Sequence, residues 1–248
     1  MKWFFYLLGV WATCVPAGYG QTPSEEANLP AAPEAQPPDE RDAQKLAVDQ
    51  AILRLRDRLF DPKASVRDAA ASALKAMGPG AKVAIPALAL RLRDRDRYVR
   101  ITASETLEKM GADAVPSVSA QLCDADPQVR ELAARVLQKI GPEAKSAVPA
   151  LTEALADEDA RVRLSAVWAL QDVGPEAKPA IPCLAARLRD RDGYVRTTAA
   201  QVLTRFGLDA VASLSVLLDD ENPVVRALAA NTLREIGVPE PAGSKPGW

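Results

Sequence analysis

GPEAKPAIPCLAARLRDRDGYVRTTAAQVLTRFG, residues 174–207, opens on Gly-Pro, closes on Gly, and holds a Val-Arg pair at 195–196. Its markers return along the chain. Val-Arg pairs stand at 66–67, 99–100, 129–130, 162–163, 195–196 and 225–226, at intervals of 33, 30, 33, 33 and 30. Six residues before each arginine is an aspartate, and eleven after it a glycine: Gly78, Gly111, Gly141, Gly174, Gly207 and Gly237. Fixed spacing of three markers over six units is the mark of a repeat array, and it has to be read before any motif inside it. Counted from the repeated valine, apolar residues recur at +4, +7 or +8, and +11, one face of an α-helix. Position +4 is alanine and +8 leucine in every unit. Asp96, Asp126, Asp159, Asp192 and Asn222, three residues before the valine, suit a helix N-cap. The glycine suits a left-handed helix end. Pro86, Pro116, Pro149 and Pro182 place a proline in the first helix of a unit, within its first turn or at a kink. The expected fold is all-α, an α-α superhelix of six helix pairs. A longer period lies behind the units: 83–112 and 179–208 agree at 18 of 30 positions, so a three-unit block is duplicated with an offset of 96.

With these residues in view, the chain resembles HEAT repeats, of the short HEAT-like class named after phycobilisome lyases. The resemblance covers about 46–237, because every unit keeps Asp, Val-Arg, Ala, Leu and Gly. It implies a HEAT-like solenoid whose second helices line the concave side. It also implies a structural ladder between adjacent repeats, built from Asp61, Arg67, Asp94, Arg100, Asp124, Arg130, Asp157, Arg163, Asp190, Arg196, Asp220 and Arg226. A guanidinium suits such a task, since its planar fork of donors matches a carboxylate. Repeat boundaries fall at 44–78, 79–111, 112–141, 142–174, 175–207 and 208–237, with a tail at 238–248.

Ahead of the array, MKWFFYLLGVWATCVPAGYG (1–20) has one basic residue, an apolar stretch and then small residues. It reads as a secretory signal peptide, and its apolar run is too short for a membrane span. A lipid anchor at Cys14 fits less well, because Trp11 and Thr13 suit that pattern poorly. Residues 21–43, rich in Pro and Glu, read as a disordered linker. The expected location is therefore outside the cytoplasm, periplasmic or extracellular. Cys123 and Cys183 have no metal-ligand spacing and read as small apolar fillers without a bridge.

Composition narrows the function. The chain carries a net charge of −2 and a pI near 5.4, which speaks against a nucleic-acid partner. It has no histidine, the usual general base and commonest metal ligand. HEAT-like hydroxylases bind iron through His-Glu pairs, which this chain cannot supply. Bilin lyases resemble it only in the repeats, and no phosphate loop or nucleophile elbow is present. The expectation is a non-catalytic scaffold with no cofactor and a protein partner. The alternatives are a lyase-like or other enzyme accessory subunit, and a structural envelope protein.

Candidate partner residues lie on the second helices. Position +6 should face the concave opening and holds Ser72, Glu105, Arg135, Trp168, Gln201 and Asn231. Trp168 and Leu164, one turn apart, form a candidate hot spot or, equally, peripheral core. Tyr98 and Tyr194, at matching places in the two blocks, are a second candidate contact, with Arg97 beside Tyr98, or else pack against the adjacent turn. Arg91, Arg93, Arg95, Arg187, Arg189 and Arg191, with Arg54, Arg56 and Arg58 near the array's start, make either a basic rim or a solvated face.

Overall fold

The computed structural model describes residues 40–238, and these form helices and turns without any strand. Six helix pairs follow one another. They are α1 (Glu40–Arg58) with α2 (Ala64–Met77), α3 (Ile85–Leu90) with α4 (Arg97–Met110), and α5 (Val115–Ala120) with α6 (Pro127–Ile140). The second block continues with α7 (Val148–Ala154) and α8 (Ala160–Val173), α9 (Ile181–Ala186) and α10 (Gly193–Phe206), and α11 (Val211–Ser215) and α12 (Pro223–Ile236). The signal-like segment, Cys14, most of the linker and the tail beyond 238 lie outside the described residues. The first helix begins at Glu40, ahead of the expected start at 44. Glu40 and Asp42 sit in its first turn, where acidic side chains complement the helix dipole.

A fourteen-residue helix is marginal in water on its own, so packing must hold each one. The repeated alanine and leucine do this. Ala70, Ala103, Ala133, Ala166, Ala199 and Ala229 are fully or almost fully buried, and so are Leu74, Leu107, Leu137, Leu170, Leu203 and Leu233. Each buried leucine contributes about 1.5–3 kcal/mol. Alanine at the crossing lets α2, α4, α6, α8, α10 and α12 pack directly on their neighbours. Apart from α1, the first helices are short and reach the next unit largely through 3-10 turns. The second helices thus form the continuous layer of packing along the array.

Local signals explain the boundaries. The side chains of Asp96, Asp126, Asp159, Asp192 and Asn222 all accept hydrogen bonds from backbone N–H groups at their helix starts. Pro86, Pro116, Pro149 and Pro182 stand in the first turn of α3, α5, α7 and α9, where no backbone donor is needed. All six repeat glycines have positive φ. Only Gly237 is left-handed helical; the other five have ψ between −131° and −144°, a mirror-image extended conformation. The expected helix-ending geometry is corrected there because the chain runs straight into the next 3-10 turn. Cys123 and Cys183 are free but exposed, so they are not the apolar fillers expected. Residues 193–219 form an apolar run long enough to cross a membrane, yet the run is α10 and α11 bent about Gly207 at φ 60°.

The ladder takes two forms. Arg67 grips Asp94 of the next unit through Nε and Nη2 at 2.7 and 2.6 Å, while its Nη1 donates to the Asp61 and Pro62 carbonyls of its own turn. Arg130 on Asp157 and Arg163 on Asp190 repeat this at 2.7–2.8 Å. Arg100, Arg196 and Arg226 keep only the carbonyl half. The carboxylates of Asp124 and Asp220 are met instead by Arg93 and Arg189. The exchange coincides with connectors three residues shorter: Gly111–Ala114 and Gly207–Ala210 replace the seven-residue form Gly78–Ala84. The uniform ladder expected from sequence is corrected accordingly, and several of the arginines outside it are paired with neighbouring groups. Arg91 and Arg187 lie half-buried against Asp94 and Asp190, and Arg191 donates to the Glu158 carbonyl. Burial pushes the Asp94 and Asp190 carboxyls up. The forks of Arg67 and Arg163 and the Asp96 and Asp192 amides outweigh it, holding both below the usual carboxylate range.

Candidate functional site

Helical spacing puts positions −1, +2 and +6 of each second helix on one stripe, and successive helices set these stripes side by side. In the first block the stripe is polar except at Tyr98 and Ile101, and its acids are bonded to neighbouring side chains. Thr102 Oγ1 donates to Asp68 at 2.6 Å, and Lys75 pairs with Glu105 at 2.6 Å. Glu131 lies 4.0 Å from Arg135 and 3.9 Å from Arg161. Arg161 also grips Asp159, and this hydrogen bond is the main reason that carboxyl is lowered to about 2. Half-buried Glu108 is pushed above its ordinary value, chiefly by burial.

The second block differs at one place. Trp168 and Leu164, one turn apart on α8, are both half-buried. Neither reading of Trp168 stands alone: the ring is partly covered and partly open. The Arg161–Glu131 pair shows that position −1 of one repeat reaches +2 of the repeat before it. Tyr194 and Leu164 occupy those same two places one junction later, so Trp168, Leu164 and Tyr194 run as an apolar strip across α8 and α10. At the duplicate positions stand Ser72, Asp68 and Tyr98. The two tyrosines are 67% and 78% exposed, more open than packing against the adjacent turn would leave them. Their backbone amides are fixed by Asp96 and Asp192. The guanidinium of Arg97 lies over the Tyr98 ring at 5.7 Å. Sequence reasoning passed over Ile101, which is 42% exposed one turn beyond Tyr98. Its signal was an isoleucine at a position otherwise filled by Asp, Glu, Leu, Thr or Ala.

Among the described residues no group of three or more His, Cys, Asp or Glu is placed to hold a metal ion. The face as built offers aromatic and aliphatic contact area in a frame of paired charges.

Comparison with known proteins agrees with this architecture. The model for HEAT repeats matches residues 85–171, 115–204 and 181–243, together more than half of the chain. No curated protein sequence matches it significantly. Among solved structures, the chain is similar to an engineered protein at 24% identity, covering 75% of this chain and 96% of that one, with a TM-score of 0.46. It is also similar to the complex of CpcE and CpcF of phycocyanin lyase from Nostoc sp. PCC7120 at 23% identity, over 60% of this chain and 98% of that one, with a TM-score of 0.46. A structure described under TOG-tubulin binding specificity matches at 17% identity over 78% and 85% of the two chains, with a TM-score of 0.52. With six helix pairs in register and the repeat model matched over most of the array, the chain belongs to the HEAT-repeat family.

Proposed function

We propose that this chain is an exported, non-catalytic scaffold that holds a protein partner along its second-helix face. Contact centres on Trp168, Leu164 and Tyr194, with Tyr98 and Arg97 as an outlying site. The observation that carries this reading is the strip itself. Elsewhere on this stripe exposed apolar residues are fewer, Tyr98 with Ile101 and Val224 alone, whereas one junction presents a tryptophan, a leucine and a 78%-exposed tyrosine. Aromatic anchors of this kind dominate binding energy where a partner covers them. The lack of histidine supports the non-catalytic part, and the signal-like first twenty residues support export to the periplasm or the extracellular space.

The test is quantitative capture from the producing cell's envelope fraction, with wild type beside Trp168→Ala and Tyr194→Ala. Each substitution should weaken recovery of the same partner by about 2 kcal/mol, roughly thirtyfold in Kd, with the melting curve little changed. Equal recovery by all three proteins refutes the site. Mass spectrometry of the mature N-terminus tests export separately: an intact Met1 after secretion would refute cleavage.

A further inference from the structure

The ladder is open at both ends, and the two open ends match. Arg226 holds its Nη1 on the Asp220 and Glu221 carbonyls at 2.8 and 3.0 Å, as Arg130 does on Asp124 and Ala125. Arg130 then closes its rung on Asp157; for Arg226 the described residues hold no following unit with a matching aspartate. Asp61 is the complementary half. Its Oδ1 accepts from the Lys63 amide at 2.8 Å, as Asp157 accepts from Asp159, but among the described residues no earlier arginine meets it. The block duplication makes this more than a coincidence of two residues. An offset of 96 carries α7 onto residues 52–58 of α1, and α6 onto α12. The surface that block one presents to block two is therefore presented again by block two, to nothing described.

The apolar parts of that junction are retained. Val115, Leu122, Ala134 and Ile140, buried where block one meets block two, become the half-buried Val211, Leu218, Ala230 and Ile236. On the other side, fully buried Ala144 and Ala147 become exposed Val48 and Ala51. The charges change in a matched way. In the internal junction α7 packs on the turn Gln121–Cys123. At the free ends the place of Cys123 is taken by Asp219 and that of Ala125 by Glu221, while Ala150, Ala154 and Asp159 give way to Arg54, Arg58 and Lys63. All five of these charged residues are exposed. Asp219 and Glu221 line a shallow recess with Arg189, Val216, Asp220 and Asn222 at the array's C-terminal end.

We propose that the occupant of each end face is a second copy of this chain, stacked head to tail. Arg226 of one copy completes the rung on Asp61 of the next, and the acidic C-terminal end meets the basic N-terminal end. The contact is heterologous, so it continues the superhelix from copy to copy instead of closing a dimer.

Sedimentation velocity of the full chain across a concentration series tests this. Wild type grows open-endedly with concentration, and added salt reverses the growth because the end charges are exposed. Arg58→Glu blocks only the N-terminal face and Asp219→Lys only the C-terminal face. Each variant alone stays monomeric, with a dissociation constant raised at least about tenfold. Mixed, they form one intact junction and stop at a 1:1 dimer. The double variant, with its charges exchanged, grows again. Circular dichroism confirms that each variant is folded, as expected for exposed positions outside every rung. A wild type that stays monomeric to millimolar concentration overturns the proposal, and so does a closed symmetric dimer. Growth that appears only after removal of residues 239–248 also overturns it, assigning the C-terminal face to the chain's own tail.

Discussion

Consider the removal of one carboxylate from a buried rung, Asp190→Ala. In the folded chain Asp190 accepts from Arg163 Nε and Nη2 at 2.7 Å and from the Asp192 amide at 2.9 Å. The two paired side chains are 4% and 2% exposed, so truncating the acid strands a guanidinium edge out of reach of water. Breaking a buried pair from one side costs about 3–5 kcal/mol. Arg163→Met costs toward the lower end of that range, because Arg187 at 3.5 Å and the Asp192 amide remain on the carboxylate. Replacing both residues by Met and Leu removes the stranded charge and costs only about 1–2 kcal/mol, most of it the lost turn hydrogen bond. The control is Arg189→Ala on the neighbouring Asp220 rung. That arginine is 51% exposed, and its loss should cost no more than about 1 kcal/mol. Urea unfolding followed by helical circular dichroism measures all four, with a second probe at Trp168 to detect stepwise loss of repeats. Because the Asp190 carboxyl is held below its ordinary value, its contribution is full above the unfolded value of about 3.9. It is lost as pH falls through the lower folded value, so wild type and Asp190→Ala should converge in acid. Equal costs for Asp190→Ala and Arg189→Ala, within about 0.5 kcal/mol, would refute the division into buried and exposed rungs.

Two further outcomes follow from single sites. Glu108 is pushed up by burial, so the folded chain prefers it protonated: its contribution is complete below the unfolded value of about 4.3 and is lost as pH rises through the folded one. Glu108→Gln should therefore raise Tm at neutral pH and leave it unchanged in acid; an equal rise at both would show that charge is not the cause. Gly207 sits at φ 60° and ψ −131° with nothing within 4 Å of where a Cβ would stand. Gly207→Ala thus isolates backbone strain, expected at about 1–3 kcal/mol in a thermal or urea melt, and a neutral result would argue against that conformation.

The helix pairs were readable because each depends on local signals that agree. Asp192 caps, Ala199 allows close approach, Leu203 fills and Gly207 turns, all within one unit. The rung pattern was not readable, because it depends on distances across junctions. Arg100 and Arg163 both follow the repeated valine, yet only Arg163 reaches a carboxylate. The deciding feature is a three-residue difference in the connector ahead of the following unit. Tyr194 was visible as a candidate from its place beside Val-Arg, but its alignment with Leu164 emerges only once the Arg161–Glu131 pair fixes how neighbouring helices sit. Trp168 stood out by residue type alone, and its partial burial comes from the helices on either side.

The positions of the two rung types relative to the apolar strip carry a last consequence. Units one and two, three and four, and four and five are joined by buried forks, whereas two and three, and five and six, are joined by Arg93 and Arg189, each about half exposed. Exposed pairs are weak and screened by salt, so those two junctions carry the weaker rungs. The strip of Trp168, Leu164 and Tyr194 crosses the junction of units four and five, whose fork is among the most deeply buried. A surface that anchors a partner through a few side chains gains most when its own geometry is already fixed, since less ordering is left to be done on binding. The duplicated block has an equally buried fork at Arg67–Asp94 but lines it with Ser72 and Asp68. Two junctions of the same construction thus share a tyrosine and differ in the pair beside it, Ser72 and Asp68 on one and Trp168 and Leu164 on the other.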